Sequence, residues 1–352
     1  MAEQAHQRVL GGVDTHKDLH VAAVINGLGQ LLGVASFPTT TRGYRRLLAW
    51  MRSHGALEVV GVEGTGSWGA GLARYLIAAG VDVVEVNRPN RQRRRLNGKS
   101  DPADAEAAAR AVLSGEATAT PKSANGTIEC IRMLRIARRS AIQSRTQAIN
   151  QMRSVIDTAP DDLRAELVAL SHKKLIERTA RFRVTNPDSV LGATKITLRL
   201  LGRRGRALSE EITLLDRQLG QLVHAAAARL VEHKGIGTDT AGALLVAAGD
   251  NPERLINERS YAALLGSSPV DASSGRQRRH RLNRGGDRTA NSALYMIVIN
   301  RLSSDPRTKT YMARRLAEGK TKSEIIRCLK RYVAREVYRT IRAELPDLAR
   351  AA

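Results

Sequence analysis

Residues 8–120 alternate short apolar runs with stretches of helical spacing. Arg8–Thr15 (RVLGGVDT) is apolar, ends in an acid and predicts a buried strand. Residues 20–26 and Leu31–Pro38 predict two more strands, set apart by turns that contain glycine. Residues 43–53 place Leu47, Leu48 and Met51 on one face, which predicts a helix. A strand over 58–62, a helix over 68–79 and a strand over 81–86 follow. Residues 101–114 (DPADAEAAARAVLS) form a strong helix former. The order β-β-β-α-β-α-β-α predicts an α/β domain: a mixed sheet with helices packed on it.

From residue 127 the period changes, and residues 127–232 read as nearly all helix. Leu208, Ile212, Leu215, Leu219 and Leu222 step by 4, 3, 4 and 3, the spacing of a coiled-coil seam. Ile142, Ile149, Met152 and Ile156 suggest a second seam. An ordinary bundle face has the same pattern, while a seam of this length would suit dimerisation. Residues 233–352 are mostly helical, with an apolar helix over 241–248 and a basic one over 322–342. A Gly/Ser/Arg-rich loop over 267–288 interrupts them. Three domains are expected: 1–126, 127–232 and 233–352.

Composition narrows the function. The 352 residues hold 57 Lys+Arg against 34 Asp+Glu, a net charge of +23 that points to a polyanionic partner. Apolar residues at 42% allow true cores and argue against global disorder. Aromatics at 3% weaken any design built on base stacking. Cys130 and Cys328 have neither metal-ligand spacing nor a disulfide framework, as expected in a reducing cytoplasm. No apolar run predicts a membrane span, and the first residues lack a signal-peptide core.

Four acids stand at informative places. Asp14 closes the first predicted strand and Glu63 the fourth, while Asp101 and Asp104 open the last helix three residues apart. Neighbouring strand ends crossed by that helix would gather four hard oxygen ligands suited to Mg²⁺ or Mn²⁺ and to two-metal phosphoryl chemistry. Taken singly, each acid has a plainer role. Asp101-Pro102-Ala103-Asp104 is also a good helix start, with Asp101 as cap and Pro102 behind it. Asp14 alone fits a turn, with Asp18 a competitor for its role. Gly64-Thr65-Gly66-Ser67-Trp68-Gly69, with Glu85 further on, resembles a dinucleotide fingerprint. That motif normally opens its domain, whereas three strands precede it here, and such an enzyme gives no reason for the charge.

The positive charge is clustered. Arg88, Arg91, Arg93, Arg94, Arg95 and Lys99 lie in an acid-free stretch before the Asp pair, a stretch suited to phosphate-backbone contact. Ser273, Ser274 and Gly275 precede Arg276, Arg278, Arg279, His280, Arg281, Arg284 and Arg288. A hydroxyl on a glycine-flanked loop beside guanidiniums suits a nucleophile toward phosphate, although plain Ser-Gly loops are commoner. Gly235-Ile236-Gly237-Thr238 resembles the hairpin of a helix-hairpin-helix module, whose amides can hold a phosphate. A simple helix-helix turn is the alternative.

In these residues the chain resembles the DEDD-plus-serine transposases of the "IS one-ten" insertion sequences, relatives of Piv-type DNA invertases. The resemblance covers nearly the whole chain. It rests on Val13-Asp14-Thr15-His16-Lys17, Val62-Glu63-Gly64-Thr65-Gly66, Lys99-Ser100-Asp101-Pro102-Ala103-Asp104-Ala105 and Gly235-Ile236-Gly237. It rests equally on Ser268-Pro269-Val270 running into Ser273-Ser274-Gly275, then on His280 to Asp287. It implies that Asp14, Glu63, Asp101 and Asp104 are the metal-binding acids of a RuvC-like (RNase H-like) nuclease domain. It implies that Ser274, with Ser273 as rival, attacks DNA from a C-terminal serine transposase domain and leaves a phosphoserine. It further implies a composite site built by both domains, a helical dimerisation region and a non-coding bridge RNA that pairs with donor and target DNA. The working assembly would be a homo-oligomer, dimer or tetramer, on double-stranded DNA beside the nucleoid of a bacterium or archaeon. Many relatives carry Gly-Asn followed by Leu-Arg after the serine loop. Ala290-Asn291-Ser292-Ala293-Leu294-Tyr295 departs from that, which affects local contacts rather than the chemistry. Two other readings stay open: a metal-only junction nuclease of RuvC type, and a non-catalytic nucleic-acid-binding protein.

Overall fold

The computed structural model describes residues 7–86, 100–251, 254–275 and 280–351. The chain divides into two compact units, Met1–Ala124 with Gly249–Arg254, and Asn125–Ala248 with Leu255–Ala352.

The first unit is a five-stranded mixed sheet. Its elements are β1 (Arg8–Thr15), β2 (Leu19–Asn26), β3 (Leu31–Pro38), α1 (Thr41–Arg52), β4 (Ala56–Glu63), α2 (Ala70–Ala78), β5 (Asp82–Val86) and α3 (Asp101–Leu113). The strand order is β3-β2-β1-β4-β5. The first three strands run antiparallel, while β4 lies parallel to β1 and β5 parallel to β4. Both β1 and β2 are buried along almost their whole length, as expected of strands covered on both faces. On one face Val9, Val13, Val60 and Val62 pack with Leu47, Met51, Leu72 and Leu76 of α1 and α2. On the other, α3 lays Ala105 against Val21 and Ala23, and Ala109 against Leu10 and Ile25.

The approach of α3 is unusually close, and Gly12 permits it. A Cβ on Gly12 would stand 2.2 Å from the Ala105 carbonyl oxygen and 2.3 Å from the Ala109 nitrogen. The alanine-rich face of α3 therefore rests directly on the backbone of β1. The cap of this helix differs from expectation. Ser100, not Asp101, is the N-cap, and its hydroxyl accepts from the Ala103 amide. Asp101 is the first helical residue, so its carboxylate is not the capping group.

The second unit is helical. It comprises α4 (Thr127–Asp157), α5 (Asp161–Leu167), α6 (His172–Ala180), α7 (Val190–Glu232), α8 (Thr238–Ala248), α9 (Glu258–Leu264), α10 (Arg288–Ser304), α11 (Pro306–Ala317) and α12 (Lys322–Ala351). The long α7 breaks its helical geometry at Ala227. Two cores lie along α4 and α7. In one, Ile149, Met152 and Ile156 pack with Leu167, Leu175 and Leu198. In the other, Ile128 and Ile131 pack with Leu219, Val223, Leu244, Leu294, Ile297 and Val337. Late residues of α4 thus meet early residues of α7 and the reverse, so the two helices run antiparallel. Ile212, Leu215 and Leu219 of the 4-3-4-3 run are already buried within one chain, as on a bundle face. The helical residues before and after position 232 share the second core.

Short α5 and α6 fall inside the stretch that reads as nearly all helix, but their separate bounds, and α9, do not emerge from the sequence, because seven to nine residues give too few turns for a period. Within the loop over 267–288, Val270–Asp271 (β6) pairs antiparallel with His280–Arg281 (β7). Among the described residues, no helix is long and apolar enough to cross a membrane.

Candidate functional site

At one edge of the first unit, the ends of β1 and β4 meet the start of α3. Val13 of β1 pairs with Val62 of β4, so Asp14 and Glu63 are the next residues along neighbouring parallel strands. The Thr15 hydroxyl donates to the Glu63 carbonyl at 2.8 Å and ties these strand ends together. The contact at Gly12 sets α3 down so that Asp101 and buried Asp104 reach the same edge.

Among the described residues, Asp14, His16 and Asp101 each offer a ligand atom within 4.8 Å of the others. His16 Nε2 lies 3.2 Å from Asp14 Oδ2 and 3.5 Å from Asp101 Oδ1. Although buried, that nitrogen satisfies no hydrogen bond of good geometry. One imidazole nitrogen and two carboxylates gathered within 4.8 Å form a donor set that fits a divalent cation. His16 was given no role from the sequence. Its position two residues after Asp14, on the same side of an extended segment, is the signal that would have found it.

Electrostatics agree with that fit. Burial pushes the Asp14 carboxyl above its usual value; His16 opposes the rise, and the nearby charges of Asp104 and Asp101 add to it. The side chain of Asp104 is therefore close enough to be felt. Glu63 is placed by strand register, outside the 4.8 Å set. Behind the cluster, buried His20 stacks on Tyr44 with centroids 5.7 Å apart. Burial, and then the charge of His16, lower its pKa to about 4.

The glycine-rich turn after β4 is closed on itself. The amides of Ser67 and Gly69 both donate to the Gly64 carbonyl, at 2.8 and 3.1 Å, so neither points outward as a phosphate donor.

In the second unit the serine loop is exposed and follows β6. Asp271 accepts from the Ser273 amide at 2.9 Å and from the Ser273 hydroxyl. These two bonds, the hydroxyl's first, hold the Asp271 carboxyl below its usual value. The two serines thus differ: the side chain of Ser273 is tied back to Asp271, while Ser274 stands exposed beside Gly275. Asp271 is a second residue whose part was not foreseen. Arg281 on β7 and Arg284 are exposed. Gly235 and Gly237 bracket buried Ile236 between α7 and α8, and the Gly237 amide donates to the Thr240 hydroxyl at 3.0 Å. Arg88, Arg91, Arg93, Arg94, Arg95, Lys99, Arg276, Arg278 and Arg279 lie outside the described residues.

Comparison with known proteins gives matches in both units. Residues 11–159 match a family model of DEDD type described as "Transposase", and residues 227–313 match "Transposase IS116/IS110/IS902 family". The first span contains all four candidate acids and His16, and the second contains both serines and the Gly235-Ile236-Gly237 turn. The chain is also similar to "Insertion element IS110 uncharacterized 43.6 kDa protein" of Streptomyces coelicolor, with 29% identity over 143 residues. That alignment covers 40% of this chain and 35% of the relative, so the match spans about a third of the curated protein's length.

Proposed function

Since this chain belongs to the IS110 family of transposases, we propose that it cuts and rejoins DNA to move an insertion sequence. The observation that carries this reading is the convergence of Asp14, His16 and Asp101 at the edge where β1, β4 and α3 meet. Asp14, Glu63, Asp101 and Asp104, with His16 beside them, would hold Mg²⁺ or Mn²⁺. When bound, the cation would neutralise negative charge that builds on a phosphodiester during displacement.

Ser274 is the proposed nucleophile. Its Oγ forms the bond to phosphorus and gives up its proton to solvent or a nearby base. The bond from phosphorus to the departing sugar oxygen breaks, and that oxygen gains a proton. The product is a phosphoserine that a second strand's hydroxyl can resolve by the reverse steps. The tether of Ser273 to Asp271 supports Ser274 as the free member of the pair. Arg276, Arg278, Arg279, Arg281 and Arg284 would offset the charge near the serine, and Arg88 to Lys99 would grip the backbone. Gly235 is proposed to meet a phosphate at the head of α8, whereas the Gly237 amide is already engaged by the Thr240 hydroxyl.

The first unit acts as the RuvC-like nuclease domain, residues 127–232 as the dimerisation region and residues 233–352 as the serine domain. A bridge RNA supplies sequence choice, and the homo-oligomer assembles on DNA in the cytoplasm. The test is to incubate wild type and Ser274→Ala with element-end DNA, guide RNA and Mg²⁺, then denature. A covalent protein–DNA adduct in wild type alone is expected. Equal adduct in both, or cleavage by Ser274→Ala at the wild-type rate, refutes the serine mechanism. The latter result would instead fit a metal-only nuclease.

A further inference from the structure

The family resemblance supplies four acids as ligands, and none of them is a nitrogen donor. His16 adds one. Its Nε2 lies 3.2 Å from Asp14 Oδ2 and 3.5 Å from Asp101 Oδ1. Around a cation that holds its ligands at about 2.1 Å, adjacent ligand atoms stand about 3.0 Å apart in an octahedron and about 3.4 Å apart in a tetrahedron. The two observed distances are close to these values. The nitrogen thus stands where a neighbouring corner of one coordination shell would be, between a carboxylate of β1 and a carboxylate of α3.

A histidine after a strand is more often a solvated turn residue, but here the backbone on either side of it is anchored. The Thr15 hydroxyl donates to the Glu63 carbonyl at 2.8 Å, and the Thr39 hydroxyl donates to the Lys17 carbonyl at 2.8 Å. The Thr39 amide also donates to the Asp18 carbonyl at 3.2 Å. One anchor ties the segment to the end of β4 and the other ties it to the residue after β3. Asp14 and His16 are therefore presented together before any ion arrives, and a ligand held in advance costs less ordering on binding.

The nitrogen matters because Mg²⁺ is bound through carboxylate, carbonyl and water oxygens and gains little from an imidazole. Mn²⁺ accepts the same oxygens, and a transition-metal ion also bonds to imidazole nitrogen. A set of carboxylates with one imidazole therefore tilts the choice between the two ions further than oxygens alone would. We infer that His16 is a ligand of the cation at this edge, and that its nitrogen makes the site favour Mn²⁺ over Mg²⁺. This rests on the proposed function only for the edge being a cation site; Ser274 and DNA play no part in it.

The experiment uses the full chain with Mn²⁺ alone, then with Mg²⁺ as competitor. Free Mn²⁺, followed by its electron paramagnetic resonance, gives both affinities and their ratio. His16→Asn puts an amide oxygen in place of the nitrogen, and because the His16 side chain is partly exposed, the change empties no core. The variant is expected to lower the Mn²⁺-to-Mg²⁺ affinity ratio at least roughly tenfold, the smallest cost usually seen when a group that merely orients a metal ligand is removed. Pulsed resonance of Mn²⁺ on the wild type gives a readout free of folding effects. It should show coupling to a directly bound ¹⁴N that is replaced by ¹⁵N coupling when the histidines are labelled. Bound Mn²⁺ without nitrogen coupling, or an unchanged ratio in His16→Asn, overturns the inference. The first result is what an imidazolium that only pairs with the two carboxylates would give. Asp14→Asn separates this failure from that of the cation site itself. If Asp14→Asn abolishes Mn²⁺ binding while His16→Asn keeps the wild-type ratio, the acids hold the cation and only the role of His16 falls. If Asp14→Asn binds Mn²⁺ as tightly as the wild type, this edge holds no cation and both readings fall.

Discussion

Gly12→Ala is the sharpest test of how the site is built. The added Cβ would stand 2.2 Å from the Ala105 oxygen and 2.3 Å from the Ala109 nitrogen. Both obstacles are helix backbone, so no rotamer change relieves them. Ordinary contact begins near 3.4 Å, and α3 must therefore withdraw from β1 by about 1.2 Å. A gap of that size forfeits a large part of the dispersion energy of Ala105, Ala108 and Ala109 against the sheet. Overpacking against an unyielding neighbour costs about 3 kcal/mol, at the upper end of the usual range. For a unit of this size, that lowers its melting temperature by roughly 10 °C. The same shift carries Asp101 and Asp104 away from Asp14 and His16, whereas metal–ligand distances tolerate only about 0.2 Å. Scanning calorimetry and Mn²⁺ titration by electron paramagnetic resonance would read both effects. Gly27→Ala is the control, because nothing lies within 4 Å of its Cβ position. If Gly12→Ala melted with the wild type and bound Mn²⁺ as tightly, the proposed seating of α3 would be wrong.

Three further outcomes follow from the same unit. Because the carboxyl of Asp14 titrates above its unfolded value, the folded state binds the extra proton, and stability falls as pH rises between those two values. Asp14→Asn should therefore raise the metal-free melting temperature at neutral pH and abolish any stabilisation by Mn²⁺; a lower melting temperature there would contradict the burial effect. His20 behaves oppositely: its folded pKa of about 4 lies below the unfolded 6.5, so its contribution is intact above pH 6.5 and is lost as pH falls toward 4. That loss comes to about 3 kcal/mol; His20→Phe, which keeps a ring against Tyr44, should flatten the stability curve over that range, and an unchanged acid limb would refute this. Ser100→Ala removes the cap of α3 and should cost about 1 kcal/mol in denaturant unfolding, whereas Asp101→Asn, at a residue that does not cap, should cost far less; the reverse order would restore Asp101 as the cap.

Much of the first unit was legible in its sequence. β1 and β3 span the residues their apolar runs predict, and the other strands and helices of this unit differ by only a few residues at their ends. Runs report burial and period directly, so the elements and the acids at their ends came from local pattern alone. The close packing of α3 did not, because Gly12 and Ala105 lie far apart in sequence and only the folded sheet sets them face to face. His16 gained its place for the same reason: a histidine after a strand has many fates until a helix delivers Asp101 to it. The 4-3-4-3 run of α7 shows the limit most plainly. Its spacing said that one face is covered, but not by what, and tertiary structure covers it within the chain. A sequence determines period, charge and caps because these depend on near neighbours; which surfaces meet depends on chain paths that only the whole fold selects.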